Sequence, residues 1–225
     1  MKIASIITSS IDYPGHVSTT IFTIGCNLRC PYCQNKTLVI PSLYPPFLRE
    51  EYISGELDRR FSFTKFLTIT GGEPTLQRDL VSFCRRYSKR GYSIKLDTNG
   101  LRPKVLKQVL PYLEYVAMDV KTSLPKYSIL GAKRVSSIKE SIEILRSSNI
   151  DYEFRTTVVP LIVDINDIIS IGKLLQGSKK LYLQQFEPSN VLDPKFKEVK
   201  PYSPSLLEKF KLLLEDYIEK VEIRV

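Results

Sequence analysis

The stretch Ile21-Phe22-Thr23-Ile24-Gly25-Cys26-Asn27-Leu28-Arg29-Cys30-Pro31-Tyr32-Cys33 joins a short β-rich run to a loop holding three of the chain's four cysteines. A strand that ends on such a loop is one half of a βα unit, and the same design recurs along the chain. Leu67-Thr68-Ile69-Thr70 runs into Gly71-Gly72-Glu73-Pro74-Thr75, and Ile94-Lys95-Leu96 into Asp97-Thr98-Asn99-Gly100. Val116-Ala117-Met118 runs into Asp119-Val120-Lys121, and Leu181-Tyr182-Leu183 into Gln184-Gln185-Phe186-Glu187. In a parallel barrel every strand delivers its C-terminal end to one rim, where active sites form. Any one of these clusters reads as an ordinary turn; five aimed at one rim read as a site.

Between these runs lie longer amphipathic stretches, the pattern of a parallel sheet with crossover helices. Strands are predicted at Ser18–Ile24, Lys65–Thr70, Tyr92–Asp97, Tyr115–Val120, Tyr152–Val159 and Leu181–Phe186. Helices are predicted at Leu48–Phe61, Arg78–Arg90, Pro103–Leu110, Ser137–Ser147 and Ile165–Leu175. A strand at Lys2–Thr8 precedes this core, and a helix at Pro204–Ile218 with a tail strand at Val221–Val225 follows it. In the second helix Leu80, Phe83, Cys84 and Tyr87 fall at helical spacing, so Cys84 reads as a small buried hydrophobe rather than a ligand. The expected fold is α/β, a partial (β/α)6 TIM-like barrel with short N- and C-terminal extensions. A single domain is expected over 1–225, with its core at about 16–190 and an extension at 200–225.

Composition sets outer limits. The chain has 225 residues, 43% of them apolar and 25% charged, ordinary values for a globular protein with one core. No apolar run is long enough to span a bilayer, and the N-terminal segment lacks the pattern of a signal peptide. A cytoplasmic protein is expected. The net charge of +9 invites a nucleic-acid reading. The basic residues, however, are scattered without interleaved aromatic platforms, so a solvated basic surface or attraction for an acidic protein partner fits better.

Three thiolates within eight residues, with no fourth nearby, suit an iron–sulfur cube held at three corners, leaving one iron open for chemistry. Structural zinc wants four ligands, and only Cys84 and the single histidine, His16, remain to complete such a set. A disulfide conflicts with the reducing compartment expected of a chain without a secretory segment. The Gly71-Gly72-Glu73-Pro74 loop lacks the Gly-Lys-Ser/Thr ending of a phosphate-binding loop. Its glycines allow close approach of backbone to a ligand, and its carboxylate suits an ammonium group. Asp119 and Lys121 stand two apart, sharing a face. They form either a structural ion pair or a pair that meets a ligand carboxylate and a ribose hydroxyl. Asp97-Thr98-Asn99-Gly100 reads equally as an Asx turn. His16 is a proton carrier near substrate or an ordinary turn histidine.

The spacing Cys-x-x-x-Cys-x-x-Cys with Tyr32 before its last cysteine resembles the cluster motif of the radical S-adenosylmethionine (SAM) enzymes. Gly71-Gly72-Glu73-Pro74 resembles that superfamily's GGEP motif. Ser10-Ile11-Asp12-Tyr13-Pro14-Gly15, Asp97-Thr98-Asn99-Gly100 and Met118-Asp119-Val120-Lys121 resemble elements of its glycyl-radical enzyme activases. So do Tyr152-Glu153-Phe154-Arg155-Thr156-Thr157-Val158-Val159-Pro160 and Leu183-Gln184-Gln185-Phe186. The likeness is strongest to the anaerobic ribonucleoside-triphosphate reductase activating proteins, although Gln34 stands where that branch often has histidine. The resemblance implies a [4Fe–4S] cluster on Cys26, Cys30 and Cys33. It places SAM against Tyr32, Asn35, Gly71, Gly72, Glu73, Asp97, Thr98, Asp119, Lys121 and Gln185, and the substrate backbone against Asp12. It further implies an oxidoreductase that cleaves SAM to a 5′-deoxyadenosyl radical and installs a glycyl radical on a partner enzyme. A one-electron donor such as ferredoxin or flavodoxin is then required. A radical SAM enzyme acting on another peptide, RNA or small molecule is the enzymatic alternative. A metal-binding or nucleic-acid-binding module is the non-enzymatic one.

Overall fold

Runs rich in Val, Ile, Thr and Tyr, each closed by a glycine- or polar-bearing turn, give eight strands in one sheet. The computed structural model describes residues 1–224. The strands are β1 (Ile3–Tyr13), β2 (His16–Thr23), β3 (Phe66–Gly71), β4 (Ser93–Thr98), β5 (Tyr115–Asp119), β6 (Asp151–Val158), β7 (Lys180–Gln185) and β8 (Lys220–Arg224). They pair in chain order, antiparallel between β1 and β2 and parallel in every later pair. The helices are α1 (Lys36–Val39), α2 (Glu50–Phe61), α3 (Leu80–Lys89), α4 (Pro103–Val109), α5 (Ser136–Arg146), α6 (Ile165–Leu174) and α7 (Pro204–Glu215). The six parallel strands β2–β7 with their crossovers are the expected partial barrel. β1 and β8 form its two edges and do not pair with each other, so the sheet stays open.

Two elements differ from expectation. The first strand runs on to Tyr13 and turns back at once, with Tyr13 paired to His16. Pro14 followed by Gly15 at φ +73° supplies the tight turn. The expected break after Thr8 is instead a register shift between Ser9 and Tyr13. The short helix α1 directly behind the cysteine loop carries too few residues to display a period. Leu38 and Val39 nonetheless bury there, and the Leu38 carbonyl accepts a bond from Gly25 N at 2.7 Å. The tail strand begins at Lys220; its last expected residue, Val225, lies outside the described residues.

Alternation sorts the two faces of the sheet. Ile21, Leu67, Ile69, Ile94, Leu96, Phe154, Leu181 and Leu183 are fully buried in the apolar core. The opposite face of the same strands is polar and lies inside the barrel. Lys95 Nζ pairs with Asp97, and Arg155 reaches Asp97 at 3.3 Å and Glu153 at 2.6 Å. Arg224 reaches Glu153 at 3.1 Å, and the Tyr115 hydroxyl donates to Glu153 at 2.7 Å. Buried charges are tolerable only when paired in this way. Burial alone would raise the Asp97 and Glu153 carboxyls, but Arg155 with Lys95 and Arg224 holds both below their ordinary values. Burial draws the Lys95 ammonium down despite its partner. Cys84 sits fully buried on the apolar side of α3, and burial pushes its thiol up to about 12.

Candidate active site

The β2 and β3 ends are fused by backbone. Gly72 N donates to Thr23 O at 2.9 Å and Glu73 N to Gly25 O at 2.7 Å. A Cβ on Gly72 would stand 2.1 Å from the Gly25 carbonyl oxygen, and one on Gly71 (φ +110°) 2.4 Å from Thr23 N. The paired glycines therefore serve first to let the carboxylate loop lie against the start of the cysteine loop. The close approach that sequence reasoning assigned to a ligand is made by the chain itself, while both glycines also line the adjoining cavity.

That cavity, about 200 Å³, lies at the C-terminal rim. Cys26, Cys30 and Cys33 line it together with Tyr32, Asn35, Gly71, Gly72, Glu73, Asp97, Thr98, Asp119 and Lys121. Two predicted residues lie elsewhere. Gln185 turns its amide to the Tyr202 carbonyl at 2.7 Å, while its neighbour Gln184 faces the cavity, as strand alternation requires. Asp12 sits inside the sheet, where it accepts a bond from Thr20 Oγ1 at 2.9 Å, below the strand end that carries the cysteine loop. His16 stacks on Phe66, rings 3.7 Å apart, at the N-terminal ends of β2 and β3 and so at the far end from the rim.

Glu73 is the most constrained group of the site. It is almost fully buried, and its Oε1 accepts from Thr98 Oγ1 at 2.7 Å, Thr75 N at 3.1 Å and the Thr75 hydroxyl. Its Oε2 accepts from Asn99 N at 2.7 Å and keeps capacity for a further donor. Burial pushes this carboxyl upward, opposed by the bonds from Thr75, Asn99 and Thr98. Asp119 and Lys121 form an ion pair of 2.9 Å although β5 ends at Asp119. The Lys121 backbone N donates to the Tyr127 hydroxyl at 2.9 Å, which anchors the backbone from which the ammonium reaches Asp119.

Sequence reasoning gave no site role to four polar residues of this wall, Thr70, Asn99, Arg155 and Gln184, or to the apolar Leu28 and Val39. Asn99 Nδ2 donates to Asn27 Oδ1 at 2.8 Å and approaches Cys26 Sγ at 3.9 Å, joining the β4 loop to the cysteine loop. Arg155 had a partial signal: Glu153 and Arg155 alternate with apolar residues inside a strand, which places two charges on one face without saying that this face lies inside. Gln184 differs from Gln185 only in parity, which a loosely bounded strand end does not reveal.

The donor set decides which metal group fits. All four cysteines are free thiols, and three share the cavity. Burial pushes the Cys26 thiol up to about 11 and raises Cys30, so ligation must displace protons. Among the described residues no three His, Cys, Asp or Glu side chains converge to hold a single ion. Zinc requires its ligands about 2.0–2.3 Å from one centre, whereas a cube spreads three thiolates over separate irons. The buried Tyr32 hydroxyl lies beside Cys30 and lowers its thiol against the upward push of burial. These residues fit a cluster with a polar ligand beside it.

Comparison with known proteins agrees. Residues 20–174 match the radical SAM superfamily profile. The chain belongs to the radical SAM superfamily and is an enzyme of that class, which implies an iron–sulfur cluster and SAM. It is 35% identical, over 96% of its length and 92% of the relative's, to a Methanocaldococcus jannaschii protein provisionally named a glycyl-radical enzyme activating enzyme. It is 22% identical to the pyruvate formate-lyase-activating enzyme of Clostridium pasteurianum, covering 93% of this chain and 94% of that one. It is 25% identical to the 7-carboxy-7-deazaguanine synthase of Thermococcus kodakarensis, covering 77% and 76%. Streptococcus suis SuiB bound to its precursor peptide SuiA shares the fold, with a TM-score of 0.66 at 12% identity over 92% of this chain and 48% of that one. No helix among the described residues is long and apolar enough to cross a membrane.

Proposed function

We infer that this enzyme cleaves SAM reductively and uses the product to install a glycyl radical on a partner enzyme, such as an anaerobic ribonucleotide reductase. The carrying observation is the convergence of three thiols and the buried Glu73 on one cavity, locked by the backbone bonds around Gly25 and Gly72. Cys26, Cys30 and Cys33 would hold the cluster. When bound, the cluster supplies one electron to SAM, whose S–C5′ bond breaks to methionine and a carbon radical able to take hydrogen from a glycine Cα.

The protein's share is binding and orientation. Glu73 Oε2 offers the site's ready acceptor to the α-ammonium group, and the donors from Thr75, Thr98 and Asn99 keep the carboxylate from swinging away. Lys121 would offset the ligand carboxylate, with Asp119 holding its ammonium in place. Asn35, whose side chain makes no capping bond, and Asp97 would address the ribose, and Tyr32 would pack at the cluster side. The enclosed volume of about 200 Å³ is below the usual 300–1,000 Å³ for a ligand pocket. It encloses one end of such a ligand, so a protein substrate would complete the cover. Asp12 stands with its hairpin at the opposite end of β2 and takes no part in that cover.

The relative with an activating-enzyme name at 35% identity over 96% of this chain supports this reading over a small-molecule substrate, since the synthase matches at 25% over 77%. The test is anaerobic incubation of the reconstituted enzyme with SAM, a reductant and a glycyl-radical enzyme from the same genome. A glycine-centred electron paramagnetic resonance doublet, with 5′-deoxyadenosine formed in step, is expected. 5′-Deoxyadenosine without the doublet would assign the enzyme another substrate.

A further inference from the structure

A second cavity, about 660 Å³, lies on the other side of the cysteine loop. Arg102, Lys104, Lys133 and Arg134 line it against a single carboxylate, Glu140. All four cations are exposed, and none takes part in an ion pair among the described residues. On a chain whose basic residues are otherwise scattered, this is a local concentration of unneutralised positive charge.

Its position is specific. Cys26 and Leu28 face the inner cavity, while Asn27 between them faces this outer one. One turn of chain is thus the partition between basic surface and cluster site. The partition is stiff: Arg29 Nη1 donates to the Cys26 and Leu28 carbonyls at 2.8 and 2.7 Å, and Arg29 N to Leu130 O at 2.8 Å. It is also bridged, because Asn99 Nδ2 contacts both Asn27 Oδ1 and Cys26 Sγ. Electron transfer slows steeply with distance, so a short bonded path from a surface to a cluster ligand matters. The remaining cysteine, Cys84, is buried in α3 among apolar side chains and offers no relay.

We propose that this basic cavity is the docking surface for an acidic one-electron donor protein, which delivers its electron across the Cys26–Asn27 turn. The proposal rests on the SAM-cleaving reading above. In each turnover the donor is oxidised by one electron. SAM takes up that electron, its S–C5′ bond breaks, methionine keeps the sulfur electron pair and the unpaired electron stays on C5′. Charge complementarity of this kind governs encounter rate and salt dependence more than the chemistry that follows. Nucleic acid is the other polyanion such a surface would attract, but its phosphates gain nothing from the wall shared with the cluster site.

The test compares the holoenzyme with a Lys104→Glu, Arg134→Glu double variant and, as control, Lys209→Glu on the distant α7. Three quantities are read: affinity for a small, strongly acidic ferredoxin across a salt series, affinity for a short single-stranded RNA across the same series, and 5′-deoxyadenosine formation driven by that prereduced ferredoxin or by photoreduced deazariboflavin. The double variant should bind ferredoxin about tenfold or more weakly at low salt, with a shallower salt dependence and an equal loss of ferredoxin-driven rate. The deazariboflavin-driven rate should not change, nor should Lys209→Glu alter any reading. Equal ferredoxin affinity and rate in the double variant would overturn the proposal, as would an equal loss in the control. Loss of RNA binding with ferredoxin binding intact would reassign the surface to nucleic acid. Absence of 5′-deoxyadenosine from the unaltered enzyme with deazariboflavin would instead reject the enzymatic reading, while the binding series still judges the surface.

Discussion

At the scale of single residues, Glu73 and Gly72 carry most of the site's definition. Glu73→Gln keeps the side chain's size but removes the charge offered to an ammonium group. A charge-assisted hydrogen bond is worth about 1.5–3 kcal/mol, so SAM affinity should fall about 10- to 150-fold. Equilibrium dialysis with labelled SAM on the reconstituted protein checks this; undiminished affinity would free Glu73 from that role. Gly72→Ala drives a methyl into the Gly25 carbonyl. Crowding of that kind costs about 1–3 kcal/mol, so thermal unfolding should drop by several degrees and iron uptake should fall with it. Glu73, Asp97 and Lys121 were legible in sequence because each follows an apolar run at a strand end, and the cysteines because three stand within eight residues. Gln184 and Asn99 were not, since parity and a side-chain bridge across loops are properties of the folded chain.

At the scale of elements, β6 is the strand that most rewards perturbation. Its Arg155 lies between Asp97 and Glu153 inside the barrel, and both carboxyls sit below their ordinary values of 3.8 and 4.5. Removing Arg155 leaves Asp97 to Lys95 alone and Glu153 to Arg224 and the Tyr115 hydroxyl, a weakening of the buried cluster that costs up to about 3–5 kcal/mol. Arg155→Met should lose about that much in urea unfolding near neutral pH. The pH dependence has a definite sign. As pH falls below about 4.5, the unfolded chain takes up protons before the folded one, so the parent loses stability down through the depressed folded values. The variant keeps only the part of that depression due to Lys95 and Arg224, so the gap between the two proteins should narrow in acid; a constant gap would deny Arg155 its electrostatic role. Strand and helix positions followed directly from period and turn residues. The hairpin at Pro14–Gly15 was hidden because a register shift lets the polar run Ser9–Asp12 stay within a strand. The helix at Lys36–Val39 was hidden because four residues cannot show a period.

At the scale of the whole molecule, an open partial barrel brings residues of β2, β3, β4, β5, β6 and β7 or the loops that follow them to one cavity, and the cysteine loop separates that cavity from a basic surface. The rim was foreseeable, because parallel strands must deliver their C-terminal ends together. The internal charge cluster was not, because nothing in an alternating strand says which alternate face lies inside. The account depends on a cube with three protein thiolates and one iron reserved for SAM. Mössbauer spectroscopy of enzyme reconstituted with iron-57 reads that directly. About four irons per chain are expected, one of them shifting alone when SAM is added and all lost when Cys26, Cys30 and Cys33 become alanine. Four irons that respond identically to SAM, or a protein that keeps its metal without those cysteines, would contradict it.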